Sequence, residues 1–201
     1  MNGRDSGGSA GSGEQSTARQ GARSCYEGGM KLLTLAGSVL AVTATALAGG
    51  LATDPDSDYY RTLKKPSWQP PPPVYGLVWT PLYADIALAS GHVINRLNEQ
   101  SRVQERRRLV GALGVNLALN AGWSWLFFRY HRPWVAAAEC AVLTASSADL
   151  VRRVGSVDRR AGIALAPYPA WCAFATALTV AVARRNPFRR DRLPQQPVSV
   201  A

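Results

Sequence analysis

The chain has 201 residues, a net charge of +10, 47% hydrophobic residues and a mean hydropathy of -0.09, averages that would suit a soluble domain. Their distribution argues otherwise: charges are nearly absent from several stretches of about twenty residues and crowd between them, the pattern of a chain solvated by a bilayer. The arginine clusters at 106–108, 152–153, 159–160, 184–185 and 189–190 stand within a turn or two of apolar ends, which assigns them to membrane flanks rather than to a nucleic-acid surface.

Residues 1–29 carry almost nothing apolar and are expected to form a disordered polar tail. Residues 32–51 are twenty without a charge, enough at about 1.5 Å per residue to cross about 30 Å of hydrocarbon, and are expected to form a retained first span. A polar loop over 52–65 leads into a proline run at 70–73 that can begin a helix but not continue one. Span 2 is expected over 73–94, kinked near Leu77 by Pro81, and span 3 over the charge-free stretch 109–128. Span 4 is expected over 133–150, opened by Pro133, and span 5 over 161–183, bent by Pro167 and Pro169. Residues 187–201 form a basic tail, leaving residues 30–186 as the membrane domain. The fold class is an all-α membrane protein, a five-transmembrane-helix bundle. Lys and Arg number thirteen on the side of the N-terminal tail and ten on the other, a balance too even to orient the chain.

Aromatic residues recur at helical spacing on three spans. Gly76, Trp79 and Tyr83 share a face of span 2, Asn120, Trp123 and Phe127 a face of span 3, and Pro167, Trp171 and Phe174 a face of span 5. Flat π faces with a few N–H and O–H donors suit a planar apolar ligand, with Trp68 on the proline-rich loop at the rim. Spacing alone weighs a packing stripe equally. Trp125 and Trp134, beside a basic loop, read as interface-belt residues.

Asp85, Glu139 and Asp149 are ionisable groups within spans, where each needs a partner or an interior position. Asp149 is expected to pair with Arg152 and Arg153; Glu139 is a packing hydrogen bond or a functional acid; Asp85 is within reach of Arg102 or Arg106. His92 and His131 have no partner at ligand spacing and read as polar surface rather than metal ligands. Cys140 and Cys172 read as small buried hydrophobes and Cys25 as an incidental tail cysteine. No catalytic triad, phosphate loop or metal motif is present.

The segment Lys65, Pro66, Ser67, Trp68, Gln69, Pro70, Pro71, followed by Val74, Tyr75, Gly76, Leu77, Val78, Trp79, Thr80, Pro81, Leu82, Tyr83, resembles the signature of the tryptophan-rich TspO/translocator-protein family. A second block with Asn120, Trp123, Ser124, Phe127 and Phe128 resembles that family's third helix, and Pro167, Tyr168, Trp171, Phe174 and Ala175 resemble its fifth. The resemblance covers residues 31–186 and implies a ligand site at Trp68, Trp79, Tyr83, Asn120, Trp123, Phe127, Trp171 and Phe174. It implies a porphyrin, protoporphyrin IX or haem, as a noncovalent ligand, with no covalently bound cofactor and no nucleic-acid partner. It also implies a homodimer, to which Ala118 and Gly122 on span 3 would contribute a close helix approach, and a cytosolic C-terminus. The segment 179–184 lacks the Tyr of sterol-binding members. The Ala-, Arg- and Gly-rich composition fits a bacterial plasma membrane. Three functions are left: a sensor, regulator or transporter in tetrapyrrole or stress metabolism, a light-assisted porphyrin-degrading enzyme, and a partner-binding membrane protein with an incidental groove.

Overall fold

The computed structural model describes residues 10–187, and among these every regular element is helical. Five helical segments are long and apolar enough to cross a bilayer: Gly28–Ala52, Pro72–Glu99, Val103–Arg129, Pro133–Val157 and Arg159–Arg185.

The first span is the C-terminal part of α1 (Ala10–Ala52), so the tail expected to lack structure is helical from residue 10. Extending a formed helix adds one hydrogen bond per residue without a new nucleation step, and Ala, Gln, Glu and Arg in that stretch favour it. Residues 1–9 and the basic tail from 188 onward lie outside the described residues, and Cys25 lies outside those whose side chains are described.

The loop that follows holds a short helix, α2 (Asp58–Thr62), capped by the Ser57 hydroxyl, which accepts from the Tyr60 N–H at 3.4 Å. Helix α3 (Pro72–Glu99) starts with proline at its first position and continues through Pro81. Immediately before that proline, the Thr80 hydroxyl donates back to the Gly76 carbonyl at 2.8 Å. Helix α4 (Val103–Ser124) runs without interruption into a π-helical turn, Trp125–Arg129, where the Tyr130 N–H reaches the Trp125 carbonyl at 2.9 Å. His131, at φ 53°, reverses the chain into α5 (Pro133–Val157), seven residues longer than the expected span. The fifth span is two helices, α6 (Arg159–Leu165) and α7 (Pro167–Arg185), because Pro167 has no N–H to continue the ladder.

Packing follows the chain's up-and-down course. Helix α5 packs most extensively on α7 and α4, and α1 on α3 and α4. Helix α3 packs against α6 but scarcely against α7, so the two diverge beyond the Ala166 break. Where helices do meet, the approach is close: a Cβ on Gly162 of α6 would lie 2.5 Å from the Cα of Gly155 of α5. Leu32, Leu33, Leu40, Leu47 and Leu51 of α1 stand exposed, as lipid-facing side chains do.

The end of the bundle where α3 and α5 finish is tied by charges. Asp158 caps α6 by accepting from the Arg160 and Ala161 N–H groups, and it also binds Arg96 at 2.5 Å and His92 Nε2 at 3.1 Å. The Ala161 N–H foremost, with His92, Arg96 and the Arg160 N–H, holds this carboxyl well below the usual carboxylate range. Lys31 of α1 pairs with Glu99 of α3 at 2.7 Å.

Candidate functional site

The gap between α3 and α7 opens into a cavity of about 300 Å³ with predominantly apolar walls. Three ring stacks line it, each local to one helical segment because residues three or four apart share a face. Trp79 stacks on Tyr83 at 5.2 Å, Trp123 on Phe127 at 5.3 Å and Trp171 on Phe174 at 5.1 Å between centroids. Trp79 meets Trp171 edge-on at 6.5 Å, so the first and third stacks touch across the gap.

The polar side of the cavity is held by a buried network. The Tyr83 hydroxyl donates to Asn120 Oδ1 at 2.7 Å, and Asn120 Nδ2 donates to the Tyr168 hydroxyl at 3.2 Å. Tyr168, fully buried, donates in turn to Asn116 Oδ1 at 2.8 Å, and Asn116 Nδ2 reaches Ser147 at 3.1 Å. Four spans are thus joined through two amides, each held by partners on both sides, so Asn120 is presented in one orientation. Trp123 Nε1 donates to Thr179 at 3.3 Å, whereas Trp171 Nε1 is buried with no partner among the described residues. That N–H is a buried donor left without a partner.

The loop between α1 and α3 covers the mouth. Tyr60, Leu63, Lys65 and Gln69 line the cavity from this loop. Gln69 donates to the Tyr60 hydroxyl at 2.9 Å, and Lys65 Nζ stands 3.8 Å over the Tyr60 ring. The cover is clasped to the end of α7, where the Asn186 amide accepts from the Lys64 N–H at 3.0 Å and donates to its carbonyl at 3.1 Å. Tyr59 stacks on His131 at 4.0 Å, and burial raises its phenol above the usual value.

Seven of the eight residues expected at the site, Trp79, Tyr83, Asn120, Trp123, Phe127, Trp171 and Phe174, line this one cavity. Trp68 does not: it is 47% exposed and packs edge-on against Phe174 at 5.8 Å, outside the lining. The sequence reading omitted Tyr60, Lys65, Gln69, Tyr75, Phe128 and Thr179, all of which line the cavity. Tyr75 was within reach, since it precedes Trp79 by four residues and extends the same stripe. Phe128 was not, because a regular α-helix would turn it away from Phe127; the π turn buries both.

The ionisable groups resolve as follows. Asp149 binds Arg152 at 2.6 Å and Arg153 at 2.5 Å. Asp85 makes no ion pair with the arginines proposed for it: Arg102 is taken by Glu105 and Arg106 by Asn98. Both carboxyl oxygens of Glu139 are buried without a partner, so the packing hydrogen bond is not made. Its Oε1 lies 3.8 Å from where a Cβ on Gly122 would stand; Gly122 thus faces α5 of its own chain, while Ala118 is exposed. His92 takes a structural role on Asp158. Among the described residues no group of His, Cys, Asp and Glu side chains could hold a metal ion.

Five spans around an aromatic-walled cavity define an integral multi-pass membrane protein with a small-molecule-sized interior site. Residues 38–185 match the TspO/MBR family, and the chain belongs to it. It is 31% identical over 160 residues to the tryptophan-rich protein TspO of Chlorobaculum tepidum, covering 78% of this chain and 98% of that protein. It is 33% identical over 142 residues to the human translocator protein, covering 68% of this chain and 81% of that one. Protein CrtK of Rhodobacter capsulatus is 30% identical over 160 residues, 77% of this chain and 94% of its own length.

Proposed function

We propose that the protein binds a porphyrin, protoporphyrin IX or haem, in this cavity and acts as a sensor, regulator or transporter in tetrapyrrole or stress metabolism. The carrying observation is the set of three ring stacks, contributed by α3, by α4 with its π turn, and by α7, around one apolar cavity. Planar aromatic ligands gain most from such walls. The cavity lies at the lower end of the range for small-molecule sites, so the edge of a macrocycle would remain at the mouth, where Lys65 offers a cation to a carboxylate substituent. The exposed Ala118 side of α4 is where a second copy would pack in a homodimer, and a bacterial plasma membrane is the proposed location.

The test is quenching of tryptophan fluorescence on titrating protoporphyrin IX into detergent-purified protein, with Trp79→Phe and Trp171→Phe beside the wild type. Saturable quenching, weakened by both substitutions, supports the reading. No saturable quenching, or affinity indifferent to both, refutes it and leaves a partner-binding protein. Illumination of the complex separates binding from turnover: porphyrin recovered unchanged excludes the degrading enzyme.

A further inference from the structure

A second concavity lies on the outer surface, away from the aromatic cavity, between the beginning of α4 and the end of α5. It is an open groove of about 670 Å³ whose rim carries Arg108, Arg152 and Arg153 against a single carboxylate, Asp149. Asp149 is engaged by Arg152 and Arg153, whereas Arg108 has no partner among the described residues, so the groove holds two uncompensated positive charges. Ser146 lies deeper, at the middle of α5, and accepts from Asn116 Nδ2 at 3.2 Å. The floor is Gly111, Ala112 and Val115, one face of α4 running toward the middle of the bundle.

Depth identifies the occupant. Helix α5 has 25 residues, about 37 Å at 1.5 Å per residue, and so exceeds about 30 Å of hydrocarbon by a few ångströms at each end. Arg153 precedes its last residue by four positions and Arg108 follows the first residue of α4 by five, so both guanidinium groups reach the level of lipid phosphates by snorkelling. We propose that this groove binds an anionic phospholipid. Its phosphate lies between Arg108 and Arg152, and an acyl chain runs along the small-residue floor of α4. Guanidinium forks match phosphate oxygens, and basic pockets between spans take such headgroups. A second copy of the chain fits the groove less well, because a symmetric contact would bring six guanidinium groups together with two carboxylates.

The experiment is native mass spectrometry of the full chain released from detergent micelles containing equal phosphatidylglycerol and phosphatidylcholine. The wild type is expected to retain phosphatidylglycerol preferentially, and Arg108→Gln and Arg152→Gln to lower that retention by about fivefold each, the value of one interfacial arginine. Arg107→Gln, an exposed arginine outside the groove, makes the same charge change and is expected to leave retention unaltered. Inorganic phosphate in excess should not displace the lipid. Equal retention of both lipids by the wild type overturns the proposal without recourse to any variant. So does an Arg107→Gln loss equal to that of Arg108→Gln, displacement by inorganic phosphate, or a dimer that dissociates in Arg108→Gln.

Discussion

Tyr168→Phe isolates the contribution of the buried network. The hydroxyl removed accepts from Asn120 at 3.2 Å and donates to Asn116 at 2.8 Å, and Tyr168 does not line the cavity. Phenylalanine keeps the ring and its packing, so the change leaves one amide N–H and one amide carbonyl without that partner. In a soluble protein each such group costs about 1–3 kcal/mol. Inside a bilayer the unfolded helices also find partners, and interhelical hydrogen bonds average about 0.6 kcal/mol with a maximum near 1.7. Two bonds therefore place the loss at about 1–3 kcal/mol, or about 2–10 °C in Tm for a chain of this size. The assay is thermal unfolding in detergent followed by circular dichroism, with Tyr130→Phe, at an exposed position, as the control. Porphyrin affinity should fall by no more than a few-fold, because Tyr83 still holds Asn120. A Tm unchanged from the wild type, or a loss no larger than that of the control, would show that the network orders the core without stabilising it.

Gly162→Ala drives a Cβ into the backbone of Gly155, at 2.5 Å from Cα and 2.9 Å from N, and is expected to cost about 1–3 kcal/mol in the same melt. Gly37→Ala meets nothing within 4 Å and should be neutral or stabilising by up to about 1 kcal/mol. Because the Asp158 carboxyl is held below the usual range, its contribution is fully present above about pH 4 and declines as pH falls below that value toward the folded one. Melts across this acid window should show a slope that Asp158→Asn reduces; an identical slope in both proteins would exclude the capping aspartate as its source. Lys65→Gln removes the cation at the mouth, and the expected outcome is several-fold weaker binding of a porphyrin bearing carboxylates, with little effect on its neutral ester. Equal losses for acid and ester would mean that Lys65 acts only through its packing on Tyr60.

How much of this was legible beforehand depended on whether the governing signal was local. Five charge-poor stretches and the stacking partners Trp79 with Tyr83, Trp123 with Phe127 and Trp171 with Phe174 are local features, since bilayer thickness and helical periodicity act within one segment. Helix ends were less so: α5 continues past residue 150 because Asp149 can pair with Arg152 and Arg153 along the helix, and charge alone had marked that stretch as loop.

Contacts between distant segments were decided only by tertiary packing. Asn120 meets Tyr83 across 37 positions, Asp158 meets Arg96 across 62, and Asn186 clasps Lys64 across 122. Loop position suggested Trp68 as the gate, yet the clasped loop turns Tyr60, Lys65 and Gln69 to the cavity and leaves Trp68 on the outer face of Phe174. From its own residues the chain determined that five helices would cross a membrane and which faces would carry rings. Which rings share a cavity, that Arg96 reaches Asp158 and which glycine must stay bare were settled by assembly, because hydropathy and period describe one helix while contacts between helices require two.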